Sequence, residues 1–212
     1  MQLYSYFRSS AAYRVRIALN LKQLPTDIIP VHLVKNGGEH HSSDYQKINP
    51  QQLVPALVVD NEILTQSLAI IEYLDEVYPT PPLLPSSPIE RAKVRAIAQL
   101  IACDTHPINN LRVLQYLQNT LEVSPEEKNT WYKHWIYTNF DALEMMLKQT
   151  AGEYCFGDTP TLADCCVIPQ VFNAQRFECD LSNYPTITRV TQRCNSLEAF
   201  VKAAPEHQPD AT

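Results

Sequence analysis

Ser9 and Ser10 stand where a strand-like run, QLYSYF, gives way to a helix-like one beginning at Ala11. Arg8 precedes them, and Arg14 and Arg16 follow. A hydroxyl at a helix N-terminus sits among unpaired backbone N–H groups and the positive end of the helix dipole. That setting favours an anion. A free thiol, with a pKa of about 8.5, is mostly protonated at neutral pH. A hydroxyl donating to its sulfur, together with the dipole, stabilises the thiolate. Taken alone, the pair is better read as plain helix capping.

Two later stretches change that weighting. In QLVPAL, Val54 precedes Pro55 at the entrance to a strand. A cis proline there leaves the Val54 backbone free to pair with an extended peptide, whereas an ordinary strand-entry proline does nothing more. In TQSLAII, Gln66 and Ser67 open a helix whose amides and side chains suit a ligand carboxylate. In this order the three signals describe a glutathione site: the thiol at Ser9, the cysteinyl backbone at Val54, and the γ-glutamyl carboxylate at Gln66 and Ser67.

The elements that must position these residues fall into two kinds. QLYSYF, DIIPVHL, PALVVD and EILTQ read as strands. Pro30 places the second of them at a sheet edge or a bulge. Residues 11–22 and SLAIIEYLDEVY carry helical spacing, and DYQKIN reads as a short helix. The order βαβ, short helix, ββα is the thioredoxin-like arrangement. PTPPLLPSSP then breaks the pattern with five prolines in ten residues, a stiff linker. Beyond it everything is helical. SPIE at Ser87, SPEE at Ser124 and TLAD at Thr161 are helix starts with capping boxes, and YPTI opens another helix near Pro185. The first of these helices is expected to run from 88 to about 119 with a kink before Pro107. The expected domains are therefore 1–79, thioredoxin-like; 80–87, linker; and 88–212, all-α.

Composition bounds the function. A net charge of −6 argues against a general nucleic-acid binder. The six cysteines form no CxxC pair, and most lie in or beside apolar-patterned segments. They read as buried, reduced thiols, with no metal site. No signal peptide or membrane-length apolar run is present, so a cytoplasmic protein without a membrane partner is expected.

The chain resembles the zeta-class glutathione transferases, the maleylacetoacetate and maleylpyruvate isomerase family. Its SSAAYRVRIAL is similar to the family's SSCxWRVRIAL, and NPQQLVPAL, QSLAIIEYL, YPTPPLLP, GDTPTLADCCVIPQV and YPTI match in order. The likeness spans essentially the whole chain. Ala11 replaces the usual cysteine and Tyr13 the usual tryptophan, so a mechanism needing a protein thiol there loses its basis. One in which glutathione supplies the nucleophile does not.

The resemblance implies a glutathione-dependent cis–trans isomerase of maleylacetoacetate or maleylpyruvate, in aromatic amino-acid or aromatic-ring catabolism. A thiolate adds to the alkene, the resulting single bond rotates, and elimination regenerates glutathione. It further implies glutathione contacts at Ser9, Ser10, His40, Val54, Gln66, Ser67, His106, Asn110 and Arg112. Ser9, Arg8 and Arg176 are expected to be catalytic. Arg8, Arg112 and Arg176 are expected to bind the anionic dicarboxylate substrate and stabilise its enolate. A homodimer is implied as well. Arg14 and Arg16 admit a structural reading, as partners of an acidic surface, and Arg176 one as a helix-end residue. Two other functions stay open: a general glutathione transferase or α-haloacid dehalogenase, and a non-catalytic binding module of the same fold.

Overall fold

The computed structural model describes residues 1–211, which form two compact units. The first comprises residues 1–83 together with 195 onward, and the second residues 84–194.

In the first unit, β1 (Gln2–Ser5), β2 (Asp27–Pro30), β3 (Ala56–Val59) and β4 (Glu62–Thr65) form one sheet in the order β2-β1-β3-β4. β1 and β2 run parallel, joined through helix α1 (Ser10–Leu21), while β3 pairs antiparallel with both β1 and β4. Two strands joined through a helix and two joined as a hairpin give the thioredoxin-like arrangement expected. Pro30 lies opposite Ser5 on the edge strand β2, where its missing N–H breaks no inner ladder. Helix α2 (Ser43–Ile48) and helix α3 (Ser67–Val77) complete the unit's first part. The core is built on apolar side chains: Leu3, Ile17, Leu57, Ile70, Ile71 and Leu74 are all essentially inaccessible. Burying each such side chain contributes roughly 1.5–3 kcal/mol.

The strands are shorter than their apolar runs. Tyr6 and Phe7 leave β1 because Ser9 N–H donates to the Tyr6 carbonyl and closes a turn. The domain expectation also needs correction. Residues 80–83 are no free linker. The Lys22 ammonium donates to the Tyr78 and Pro81 carbonyls, and Leu83 N–H donates to Asp75 Oδ1. Segment 195–211, expected in the helical domain, packs with the first unit instead. Helix α9 (Glu198–Ala203) lies against α1, where Asn20 Nδ2 donates to the Ala199 carbonyl.

The second unit is all-α: α4 (Pro88–Gln99), α5 (Leu111–Asn119), α6 (Pro125–Thr150), α7 (Leu162–Arg176) and most of α8 (Pro185–Asn195). The Ser124 capping box forms, with Oγ accepting from Glu127 N–H and the Glu127 carboxylate from Ser124 N–H. That at Ser87 does not form, and α4 starts on its backbone bond to Ser87 alone. The single kink expected before Pro107 is broader. Residues 100–105 make a π-helical turn, closed by His106 N–H on the Ile101 carbonyl, and a 3-10 turn spans 107–109. Proline removes a helical donor and crowds the preceding turn, which widens before α5 restarts at the Asn110 cap.

Candidate active site

The strand pairing determines which residues of the first unit can meet. Tyr4 pairs with Ala56, and Ala56 with Thr65. The end of β1, the start of β3 and the end of β4 therefore lie at one end of the sheet. Ser5 opposite Pro30 brings the end of β2 there as well. The turn to Ser9, the Val54–Pro55 entrance, the turn to Gln66 and the loop leading to His40 all leave from that end. Side chains bear this out in part. Tyr6, Phe7 and Val54 share one apolar cluster, and Arg14 Nη1 donates to Ser67 Oγ across 3.2 Å, tying α1 to the start of α3.

Ser9 is the N-cap of α1. Its Oγ accepts from Ala12 N–H at 3.2 Å and it is half-exposed, so the hydroxyl hydrogen remains to be donated outward. Ser10 is buried in the first turn and does not share that access. Arg8 is exposed, its guanidinium 4.8 Å from the centre of the Phe7 ring. The Val54–Pro55 bond is cis.

Gln66 caps α3 with φ 67° and ψ 114°, outside every region an L-residue ordinarily occupies. Its side chain donates to Gln51 Oε1 at 2.8 Å. Such conformations persist only where the surroundings over-determine them, and they cluster at ligand sites. His40 is half-buried with its ring 3.8 Å from that of His41, which bonds Gln52 at 2.6 Å. Burial first, and the neighbouring His41 second, hold the His40 imidazole below its usual range. At neutral pH it is a neutral hydrogen-bonding ring. Among the described residues no group of three metal-ligating side chains gathers.

The other predicted residues belong to the second unit. Asn110 caps α5, accepting from Arg112 N–H at 3.2 Å, and its Nδ2 lies 3.3 Å from His106 Nε2. Trp131 Nε1 donates to the Ile108 carbonyl, and Asn109 Nδ2 to that of Tyr132. These two bonds fix the 107–109 turn on α6. Arg112 is exposed. Arg176 ends α7, exposed, with its guanidinium 5.0 Å from the centre of the Phe177 ring, and Phe177 stacks on Tyr132 at 3.7 Å.

Arg14 and Arg16 are the residues whose places differ most from expectation. They are buried, not paired with an acidic surface. Arg16 donates to the carbonyls of Phe7 and Ala203 and to Ser5 Oγ, each within about 3 Å, and to the Tyr6 carbonyl at 3.4 Å. Burial pushes its pKa down to about 10, so it stays charged. Gln51 and Asp210 were missed altogether. Asp210 Oδ2 accepts from Phe7 N–H. The RVR spacing gives a weak signal for the two arginines, whereas nothing local marks Asp210.

The pattern of motifs has close counterparts. Residues 3–82 match the model for the glutathione S-transferase N-terminal domain, and residues 136–194 that for its C-terminal domain. A probable maleylacetoacetate isomerase of Vibrio cholerae is 56% identical, over 99% of this chain and 97% of its own. The chain belongs to the zeta-class glutathione transferases, the maleylacetoacetate and maleylpyruvate isomerase family. Among solved structures, a holo maleylpyruvate isomerase, described as a bacterial zeta-class enzyme, superposes with a TM-score of 0.97 at 49% identity over the full length of both chains. A maleylacetoacetate isomerase from Methylobacterium extorquens AM1, solved with bound malonate and glutathione, gives 0.95 at 38% identity, again over both full lengths. This zeta-class chain keeps the serine pair, the cis proline and the Gln66–Ser67 helix start, with Ala11 where the family motif has cysteine.

Proposed function

We propose that this protein is a glutathione-dependent cis–trans isomerase of maleylacetoacetate or maleylpyruvate, yielding the fumaryl product. The observation that carries the reading is the placement of Ser9: a half-exposed N-cap hydroxyl whose own acceptor site is taken by Ala12 N–H. It stands at the same sheet end as the cis Val54–Pro55 bond and the Gln66–Ser67 helix start.

The residues suit glutathione. Two helix N-termini and the strained Gln66 backbone favour its anionic groups. Ser9 attends the sulfur, Val54 the cysteinyl backbone, Gln66 and Ser67 the γ-glutamyl carboxylate, and His40 the glycine end. The resemblance adds His106, Asn110 and Arg112 to the glutathione contacts. When bound, glutathione supplies a thiolate whose reversible addition turns the alkene into a single bond that can rotate, and its elimination leaves the trans product.

Ser9 donates its hydroxyl hydrogen to that sulfur, stabilising the charged form. Arg8, Arg112 and Arg176 hold the substrate carboxylates and neutralise charge that moves onto the substrate carbonyl oxygen in the transition state. We further infer a homodimer in the cytoplasm. The five buried cysteines, none of them in a disulfide, support a reducing compartment, and among the described residues no helix is long and apolar enough to cross a membrane.

The test is the absorbance-followed isomerisation of both substrates with and without glutathione. Fast turnover of either, requiring glutathione that is not consumed, is expected. Glutathione binding with turnover of neither substrate would replace this reading with a transferase or dehalogenase. Light scattering of the eluted protein at twice the 24.2 kDa chain mass checks the dimer.

A further inference from the structure

The turn that delivers Ser9 is held from far along the chain. Tyr6, Phe7 and Arg8 link β1 to Ser9. The Tyr6 carbonyl accepts from Ser9 N–H at 2.9 Å and from Arg16 Nη1 at 3.4 Å. Arg16 Nη2 donates to the Phe7 carbonyl at 3.0 Å. Phe7 N–H donates to Asp210 Oδ2 at 3.0 Å, a partner 203 positions away. Arg16 Nε reaches the Ala203 carbonyl at 2.9 Å, so one guanidinium joins the turn to the segment that carries Asp210.

That segment is itself anchored. Gln208, buried, donates to the Lys202 and Ala204 carbonyls, and Ala211 packs against the cluster containing Tyr6, Phe7 and Val54. Asp210 Oδ1 is buried, and the carboxylate lies close enough to Arg16 to favour its charged form. Arg16 is thus a charge that faces Asp210, while Arg8, on the same turn, projects over the Phe7 ring. A carboxylate accepting a backbone N–H beside a buried guanidinium is a strong, directional tie. Here the tie is made to the residue two before Ser9.

We infer that Asp210, with Arg16, is a positioning residue for the glutathione sulfur, acting through the Tyr6–Ser9 turn to aim the Ser9 hydroxyl and to seat Arg8. The inference rests on the reading of Ser9 given above. Segment 203–211 acts as a strap across the turn. Because a small displacement of an aligned group costs much of its effect, loosening the strap weakens thiolate stabilisation without removing any group that touches glutathione.

The experiment compares Asp210→Ala, Asp210→Asn and Ser9→Ala with the parent full-length chain. Three quantities are read: amide hydrogen exchange at Phe7 and Ser9 without ligand, the pH midpoint at which bound glutathione becomes thiolate by ultraviolet absorbance, and the melting temperature. For Asp210→Ala we expect exchange at Phe7 about tenfold faster and a midpoint raised by about half a pH unit or more. Asp210→Asn keeps an acceptor for Phe7 N–H and should recover part of both.

Parent-like exchange and midpoint in Asp210→Ala, even with a lowered melting temperature, would overturn the inference and leave Asp210 a purely structural residue. Should Asp210→Ala not fold, the same two readings on the similarly sized Asp210→Leu, which also removes the acceptor for Phe7 N–H, decide the matter, parent values again overturning it. A midpoint unmoved in Ser9→Ala would sink the Ser9 reading itself. The exchange at Phe7 and Ser9 then still shows whether the strap holds the turn.

Discussion

Ser9 has one observed task and one proposed task, which one substitution separates only in magnitude. As the cap of α1 it accepts from Ala12 N–H, and losing such a cap costs about 1 kcal/mol. In its proposed role as the sulfur's donor it is worth far more: Ser9→Ala should lower kcat by roughly a hundredfold, while the melting temperature moves by only a few degrees. Steady-state kinetics beside a thermal melt tests this, and an unchanged kcat would remove Ser9 from the mechanism. Arg176, exposed at the end of α7, should act mainly in binding. Arg176→Ala should raise KM for the dicarboxylate about tenfold with kcat less affected, and unchanged constants would return it to structure. His40 gives a pH prediction. Its folded pKa is depressed, so the unfolded chain binds more protons. Its contribution to stability is complete above about 6.5, the unfolded value, and fades as the pH falls below it. His40→Gln should flatten the acid limb of the melting-temperature profile.

At the scale of elements, two buried polar groups hold helices together. The Lys22 ammonium, inaccessible at the end of α1, bonds Asp75 Oδ1 on α3 at 2.9 Å and two carbonyls beyond it. Removing one partner of a buried pair leaves the others unsatisfied, which costs about 3 kcal/mol or more. Lys22→Met should shift the denaturant midpoint accordingly. Asp164, fully buried at the start of α7, accepts from the N–H of Cys155 and from both the N–H and hydroxyl of Thr161. Burial raises its pKa against those bonds. The predicted capping role is thus observed, extended to the loop before the helix. The boundaries of 88–119 were less legible. Pro107 announced a break, but the width of the π turn depends on α6 and α7 packed against it, and pattern along one helix carries no record of its neighbours.

For the whole molecule, the cysteine pattern along the sequence hid one asymmetry: Cys103 is exposed and the other five are buried. A thiol reagent should therefore modify one group per native chain and all six after unfolding, since burial shields the others. Rapid modification of two or more in the native protein would show that the helical unit opens readily. The fold class, the order of elements and the caps and prolines of the candidate site could be read along the sequence, because caps, prolines and apolar periodicity act on near neighbours. The sheet register that gathers Ser9, Val54 and Gln66 at one end, the cis state of Val54–Pro55 and the backbone of Gln66 were set only on folding. So was the return of segment 195–211 to the first unit, where Arg16 turns from a surface charge into a buried clamp and Asp210 reaches Phe7. A contact spanning 203 positions leaves no local pattern. It exists because the packed core brings its two ends together and excludes the water that either polar group would otherwise bind.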